Sequence, residues 1–137
     1  MSESANRDLV LGFVDRALNQ KDLSVGDEIL DGDVIFHTTG GGQVKGIDGW
    51  KGYASMFITA FPDLQFRVED TIAEGDRVVL RWSGEGTHSG QLRDVPASGR
   101  SVKFTGIAIY RVAEGKLAEL WGEIDMLGLM KQIGALS

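Results

Sequence analysis

The sequence predicts an α+β domain with helices packed on one face of a curved antiparallel sheet. Three observations predict it. Apolar residues in roughly the first sixty positions recur at helical spacing. From Leu64 onward they alternate one by one with polar residues, and glycine-bearing turns separate the alternating runs. Helical patterning followed by strand patterning favours segregated helices and strands over repeated βαβ units.

Taken in order, Leu9, Val10, Phe13, Val14, Ala17 and Leu18 form one apolar stripe on a helix from about Ala5 to Asn19. Ser24, with Asp27 three residues on, caps a short second helix ending near Leu30. Asp31-Gly32-Asp33 reads as a turn, Val34 to His37 as a short strand, and Thr38 to Gln43 as a flexible loop around Gly40-Gly41-Gly42. A third helix starts at Asp48. Its Trp50, Tyr53, Ala54, Phe57, Ile58 and Phe61 give it a strongly aromatic face, and Pro62 ends it. Leu64, Phe66, Val68, Asp70 and Ile72 share one side of a half-buried strand.

Glu74-Gly75-Asp76 turns into a long strand, Arg77 to His88, with Val78, Leu80, Trp82, Gly84, Gly86 and His88 on one face. A polar loop leads to Ser101–Val112, whose Val102, Phe104, Gly106, Ala108 and Tyr110 share a face. Ala113-Glu114-Gly115-Lys116 is a hairpin turn into the closing strand, Leu117–Asp125, and a short helix over Leu127 to Ile133 follows. No linker or repeat divides the chain, so residues 1–137 read as a single domain.

Composition excludes several classes. A net charge of −6 without a basic cluster argues against nucleic acid. The absence of cysteine excludes disulfides and thiolate nucleophiles or ligands. No apolar run approaches the about 20 residues that span a bilayer, and the first residues lack a signal pattern, so a cytoplasmic protein with no membrane partner is expected.

The closing strand carries the first candidates. Glu119, Trp121, Glu123 and Asp125 share one face, Leu120 and Ile124 the other, and the acids read as lining a cavity wall. There Asp125 would be poorly solvated and a good proton acceptor, with Glu123 reinforcing this by repulsion. The alternative is a solvated strand end, or a cap for the helix that follows. His88 reads as a neutral donor to a developing enolate oxygen, or equally as a core histidine satisfied by a backbone carbonyl. His37 ends the first strand. Two histidines and a carboxylate match no local metal spacing, so no metal is predicted. Trp50, Tyr53, Phe57, Trp82, Phe104, Tyr110 and Trp121 either line a pocket for a flat ligand or form ordinary core. Tyr53, Trp82 and Trp121 are favoured for the pocket because their polar atoms need partners. The triple glycine lacks the lysine and hydroxyl of a P-loop, and no serine sits in a nucleophile elbow.

Several stretches together resemble the SnoaL-like polyketide cyclase family. They are Ala60-Phe61-Pro62-Asp63-Leu64, Val68-Glu69-Asp70, Glu74 to Val79, Arg81-Trp82, Gly86-Thr87-His88, Ser98-Gly99-Arg100, Phe104-Thr105-Gly106 and Gly115-Lys116-Leu117. The run from Glu119-Leu120-Trp121 through Asp125 and Gly128-Leu129 to Gln132-Ile133-Gly134 completes the set. The resemblance implies an NTF2-like cone-shaped α+β barrel, its curved sheet and three N-terminal helices surrounding an apolar cavity. It also implies a cofactor-independent aldol cyclisation of a small, hydrophobic, polyketide-like ester. Asp125 would be the general base and His88 would bind or polarise the carbonyl. His37 matches a histidine often found at the end of the first strand, and Glu123 is an unusual neighbour of the base. The loop Asp94-Val95-Pro96-Ala97-Ser98-Gly99 and Ile124 depart from the family pattern where substrate choice is shaped. Competing readings are an epoxide hydrolase or hydroxylase on the same scaffold, or a non-catalytic small-molecule-binding module. Ile107 and Ile109, facing outward, give an apolar reason to expect a homodimer or higher homo-oligomer.

Overall fold

The computed structural model describes residues 2–136. Helix α1 (Glu3–Val14) starts at Ser2, whose hydroxyl accepts the Ala5 N–H, and runs into a π-helical turn, Asp15–Asn19. That turn is strapped to the sheet: the Asn19 amide donates to the Phe66 carbonyl (3.0 Å) and accepts the Phe66 N–H (2.7 Å). Helix α2 (Val25–Ile29) follows. The expected Ser24 cap does not form, because the Ser24 hydroxyl bonds Asp22 instead.

Strand β1 (Leu30–His37) begins at once, absorbing the Asp31-Gly32-Asp33 segment expected as a turn. The glycine loop is a tight return, with Gly40 and Gly41 at φ of 89° and 83°, where a Cβ is disfavoured. It pairs β1 with a short strand the sequence did not reveal, β2 (Gln43–Lys45). Helix α3 (Gly46–Ala60) starts slightly before Asp48, which lies in its first turn. Then come β3 (Gln65–Glu74), β4 (Arg77–Thr87), β5 (Ser101–Ala113), β6 (Lys116–Ile124) and α4 (Met126–Gln132).

The six strands form one open sheet in the order β2-β1-β6-β5-β4-β3. The sheet is antiparallel, as expected, except at one seam, where β1 and β6 run parallel, with Phe36 opposite Leu120 and His37 opposite Trp121. Only a hairpin forces antiparallel pairing. The chain between β1 and β6 instead crosses over through α3 and the β3–β5 meander. A second departure from expectation concerns β3. A bulge at Glu69, between the Val68–Trp82 and Asp70–Arg81 pairs, reverses the side-chain alternation. Thr71 and Ala73 become half-buried, and Ile72, expected inward, is 63% exposed.

The core lies between the helices and the concave sheet face. α1 contributes Val10, Phe13 and Val14, α3 contributes Trp50, Ala54 and Phe57, and the sheet contributes Val78, Leu80, Phe104, Tyr110 and Leu120. Phe13 touches Trp50 (ring centroids 5.1 Å) and meets Tyr110 edge-on (6.3 Å), tying helix to helix and helix to sheet. Such aromatic pairs stabilise by about 0.5–1.5 kcal/mol beyond burial.

Candidate functional site

The core is hollow. A cavity of about 100 Å³ is enclosed by α1, α3 and the inner faces of β1, β3, β4, β5 and β6. Its deep end is formed by Phe13, Val14, Ala17, Trp50 and Tyr110, all nearly or fully buried, and half-buried Leu18, Phe36, Tyr53, Phe66, Gly122 and Ile124 form its rim. The volume falls below the about 150 Å³ that accepts benzene in an engineered core cavity. A larger ligand therefore projects through the rim or displaces wall side chains.

Among the described residues, the wall contains no carboxylate, imidazole or cation. Its polar atoms are the Tyr53 and Tyr110 hydroxyls and the Trp50 and Trp82 indole N–H groups. Burial pushes the Tyr110 phenol far above its ordinary pKa. Tyr53 is raised chiefly by burial, opposed by the charge of Arg93 and assisted by that of Glu123. Gly106 makes room for Trp82: a Cβ there would lie 2.3 Å from the indole Cζ2.

Of the residues singled out in the sequence, Trp50, Tyr53, Phe57, Trp82, Phe104 and Tyr110 line this cavity. The remainder do not. The parity grouping of β6 holds, but its cavity side is Leu120, Gly122 and Ile124, so Glu119, Trp121 and Glu123 lie on the outer sheet face. There His37 stacks on Trp121 (5.2 Å, 11°) and donates from Nε2 to the Glu119 carboxylate (2.6 Å). Arg111 donates to the other Glu119 oxygen, and Arg77 lies over the Trp121 ring. The hydrogen bond from His37 is the main reason the Glu119 carboxyl lies below its usual range.

His88 is fully buried against Phe61 (5.6 Å) and is not part of the cavity wall. It clamps the loop between β4 and β5. Ser98 N–H donates to Nδ1 (3.1 Å), His88 N–H donates to the Arg100 carbonyl, and Gly99 N–H donates to the His88 carbonyl. Nδ1 is thus an acceptor and Nε2 carries the proton, buried without a partner. Desolvation lowers the imidazole pKa, so the ring is neutral. The ring is buried as a core histidine would be, but no backbone carbonyl takes its proton: Nδ1 accepts from Ser98 and Nε2–H has no partner among the described residues.

Asp125 is exposed and caps α4: its Oδ1 accepts the Gly128 N–H (2.9 Å) and its Oδ2 packs over Gly128. It follows directly after cavity-lining Ile124, and the shallow depression it borders contains Glu123 and Arg81. The carboxylate therefore sits outside the rim, folded onto the helix. The sequence reading missed Phe13, Phe36, Phe66, Leu120 and Ile124 as wall residues. Phe13 stood out only as a helical core stripe, and the β6 residues were hidden by the choice of face. Among the described residues, no three histidine or acidic side chains gather as a metal site, and no helix is long and apolar enough to cross a membrane.

A cone of helices and curved sheet around an apolar cavity is the NTF2-like α+β architecture. Within that class the chain belongs to the SnoaL-like polyketide cyclase family, whose model matches residues 8–133. Similar solved structures include AclR of Streptomyces galilaeus, assigned as a hydroxylase (29% identity, 99% of this chain and 100% of that one, TM-score 0.89). Another is a protein of Jannaschia sp. CCS1 assigned as a SnoaL-like polyketide cyclase (25%, 98% and 94%, TM-score 0.91). A third is IdmH of Streptomyces antibioticus, assigned as a polyketide cyclase (29%, 94% and 98%, TM-score 0.81). Comparison with curated proteins gives no match.

Proposed function

We propose that the protein is a cofactor-independent cyclase acting on a polyketide-like ester, with its cavity holding an uncharged ring and the reacting chain lying at the rim. The observation that carries this reading is the wall itself: aromatic and aliphatic side chains interrupted only by neutral hydrogen-bond donors. An ionic ligand would be desolvated there without compensation, whereas a ring bearing carbonyls is matched. The rim gives the chemistry its place. Asp125, one residue beyond Ile124, swings off Gly128 and removes the proton from a carbon next to a carbonyl. The enolate attacks a second carbonyl of the same molecule, and the proton returns to the new alkoxide. Holding both ends of one chain together supplies much of the acceleration. His88 contributes indirectly by fixing the loop over residues 88–100.

The test uses a β-keto ester carrying an aromatic ring but no further ketone or aldehyde to accept the enolate, incubated in heavy water. Catalysed exchange of the acidic C–H, lost in Asp125→Asn, supports the reading. Exchange at the uncatalysed rate with the wild-type protein overturns it.

A second reading is favoured by the seating of Asp125 on α4 and by the likeness to AclR: a hydroxylase, or a binding module, using the same cavity. Label from dioxygen or water in the product separates hydroxylation or epoxide opening from cyclisation, which adds no oxygen. We also propose a homodimer formed through the outer sheet face. One crosswise row there joins Ile72, Val79, Ile109 and Trp121, with exposed Ile107 beside it.

A further inference from the structure

One polar group at the deep end of the cavity has no role in the rim chemistry. Tyr110 lies on β5 between Val78 of β4 and Leu120 of β6, and is 7% exposed. Among the described residues no protein atom pairs with its hydroxyl. The oxygen is nevertheless absent from the fully enclosed unpaired atoms, which are Asn6 Oδ1, Arg7 Nε and His88 Nε2. The hydroxyl therefore opens on the one space beside it, the cavity. Phe13, edge-on to the ring, holds the phenol in place. A buried hydroxyl left unpaired is costly, and phenylalanine would fill the same volume without that cost. Burial keeps the phenol protonated at any physiological pH, so it always has a hydrogen to give.

We propose that Tyr110 is a specificity-determining residue, its hydroxyl donating a hydrogen bond to a carbonyl oxygen on the ring that enters the cavity. The ligand class is an aryl ketone or quinone, entering acceptor end first. A carboxylate is rejected because no cation lines the wall, and a plain hydrocarbon leaves the phenol unpaired. This rests on the reading of the cavity as the ligand site, but not on the assignment of Asp125.

The test compares two small probes of nearly equal shape, acetophenone and α-methylstyrene, in which C=O is replaced by C=CH2. Binding is followed by ligand-observed NMR to the wild-type protein and to Tyr110→Phe. The expected result is that acetophenone binding weakens about threefold to tenfold in the variant, while α-methylstyrene binding is unchanged or tightens. The carbonyl stretch of bound acetophenone, shifted to lower frequency in the wild-type protein, should return toward its value in an apolar solvent. A merely structural tyrosine would change both affinities alike and leave the stretch in place, which overturns the proposal. Failure of both probes to bind the wild-type protein overturns it differently, by removing the cavity as a ligand site. Retained turnover in Asp125→Asn would sink the rim base and leave these outcomes untouched.

Discussion

Three substitutions separate the two roles that geometry allows Asp125. The cap is a single hydrogen bond of 2.9 Å to Gly128 N–H at the start of a seven-residue helix. Asp125→Ala removes it, at a cost of about 1 kcal/mol, or a fall of roughly 2–4 °C in melting temperature. Buried Leu129 and Ile133 keep α4 attached, so the loss stays local. Asp125→Asn keeps an acceptor oxygen, and asparagine caps about as well as aspartate, so its melting temperature should stay within about 1 °C. As a base, however, asparagine is useless, and turnover of the polyketide-like ester should fall by about 10²- to 10⁴-fold. Gly128→Ala makes the opposite cut. Its Cβ would lie 2.3 Å from Asp125 Oδ2, so the carboxylate must leave its seat on the helix while remaining a carboxylate. Turnover should then persist within about threefold, because the rim position is the working one. Thermal melting and chromatographic product analysis on all three variants decide the matter. Near-normal turnover in Asp125→Asn would refute the reasoning, and Asp125 would be a helix cap alone.

Three further outcomes follow from the packing. Gly106→Ala would place a methyl 2.3 Å from Trp82 and 2.7 Å from the Glu123 carbonyl oxygen; denaturant unfolding should show a loss of about 1–3 kcal/mol, and an unchanged midpoint would contradict the close approach. Because the His88 pKa is lower in the folded than in the unfolded chain, the unfolded chain binds the extra proton. Stability should therefore be full above the ordinary value of 6.5 and decline as pH falls below it. Melting curves of His88→Gln should lack that decline between pH 6.5 and 5, while retaining the loss below about 4.5 that Glu119 brings as it protonates. Ile72→Lys with Ile107→Glu should shift a dimer toward monomer in sedimentation velocity while leaving the melting of the monomer unchanged; an unaltered dimer would place the interface elsewhere.

Much of the fold was legible in the sequence because its cues are local. The α1 stripe, the aromatic face of α3 and the inward set of β4 and β5 each follow from a period of 3.6 or 2 within one element. The family match reflects motifs distributed over residues 8–133 in the right order. β2 escaped because three residues after a glycine turn carry no period of their own.

The candidate site was less legible, and β6 shows why. Alternation sorts Glu119, Trp121 and Glu123 from Leu120 and Ile124, but it has no sign: either set can face inward. Pairing with β1 and β5 supplied the sign, placing Leu120 beside cavity-lining Phe36 and Tyr110 and leaving Trp121 beside His37 and Ile109 outside. In β3 the bulge at Glu69 reversed the count partway and exposed Ile72. His88 continues the inward parity of β4 but lies beyond the cavity, where only the distant Phe61 and Ser98 define its surroundings. Outside the bulged β3, sequence alone thus determined which side chains share a face, and it determined which family the chain resembles. Tertiary pairing decided which face meets the cavity, because orientation is a property of the assembled sheet and of no single strand.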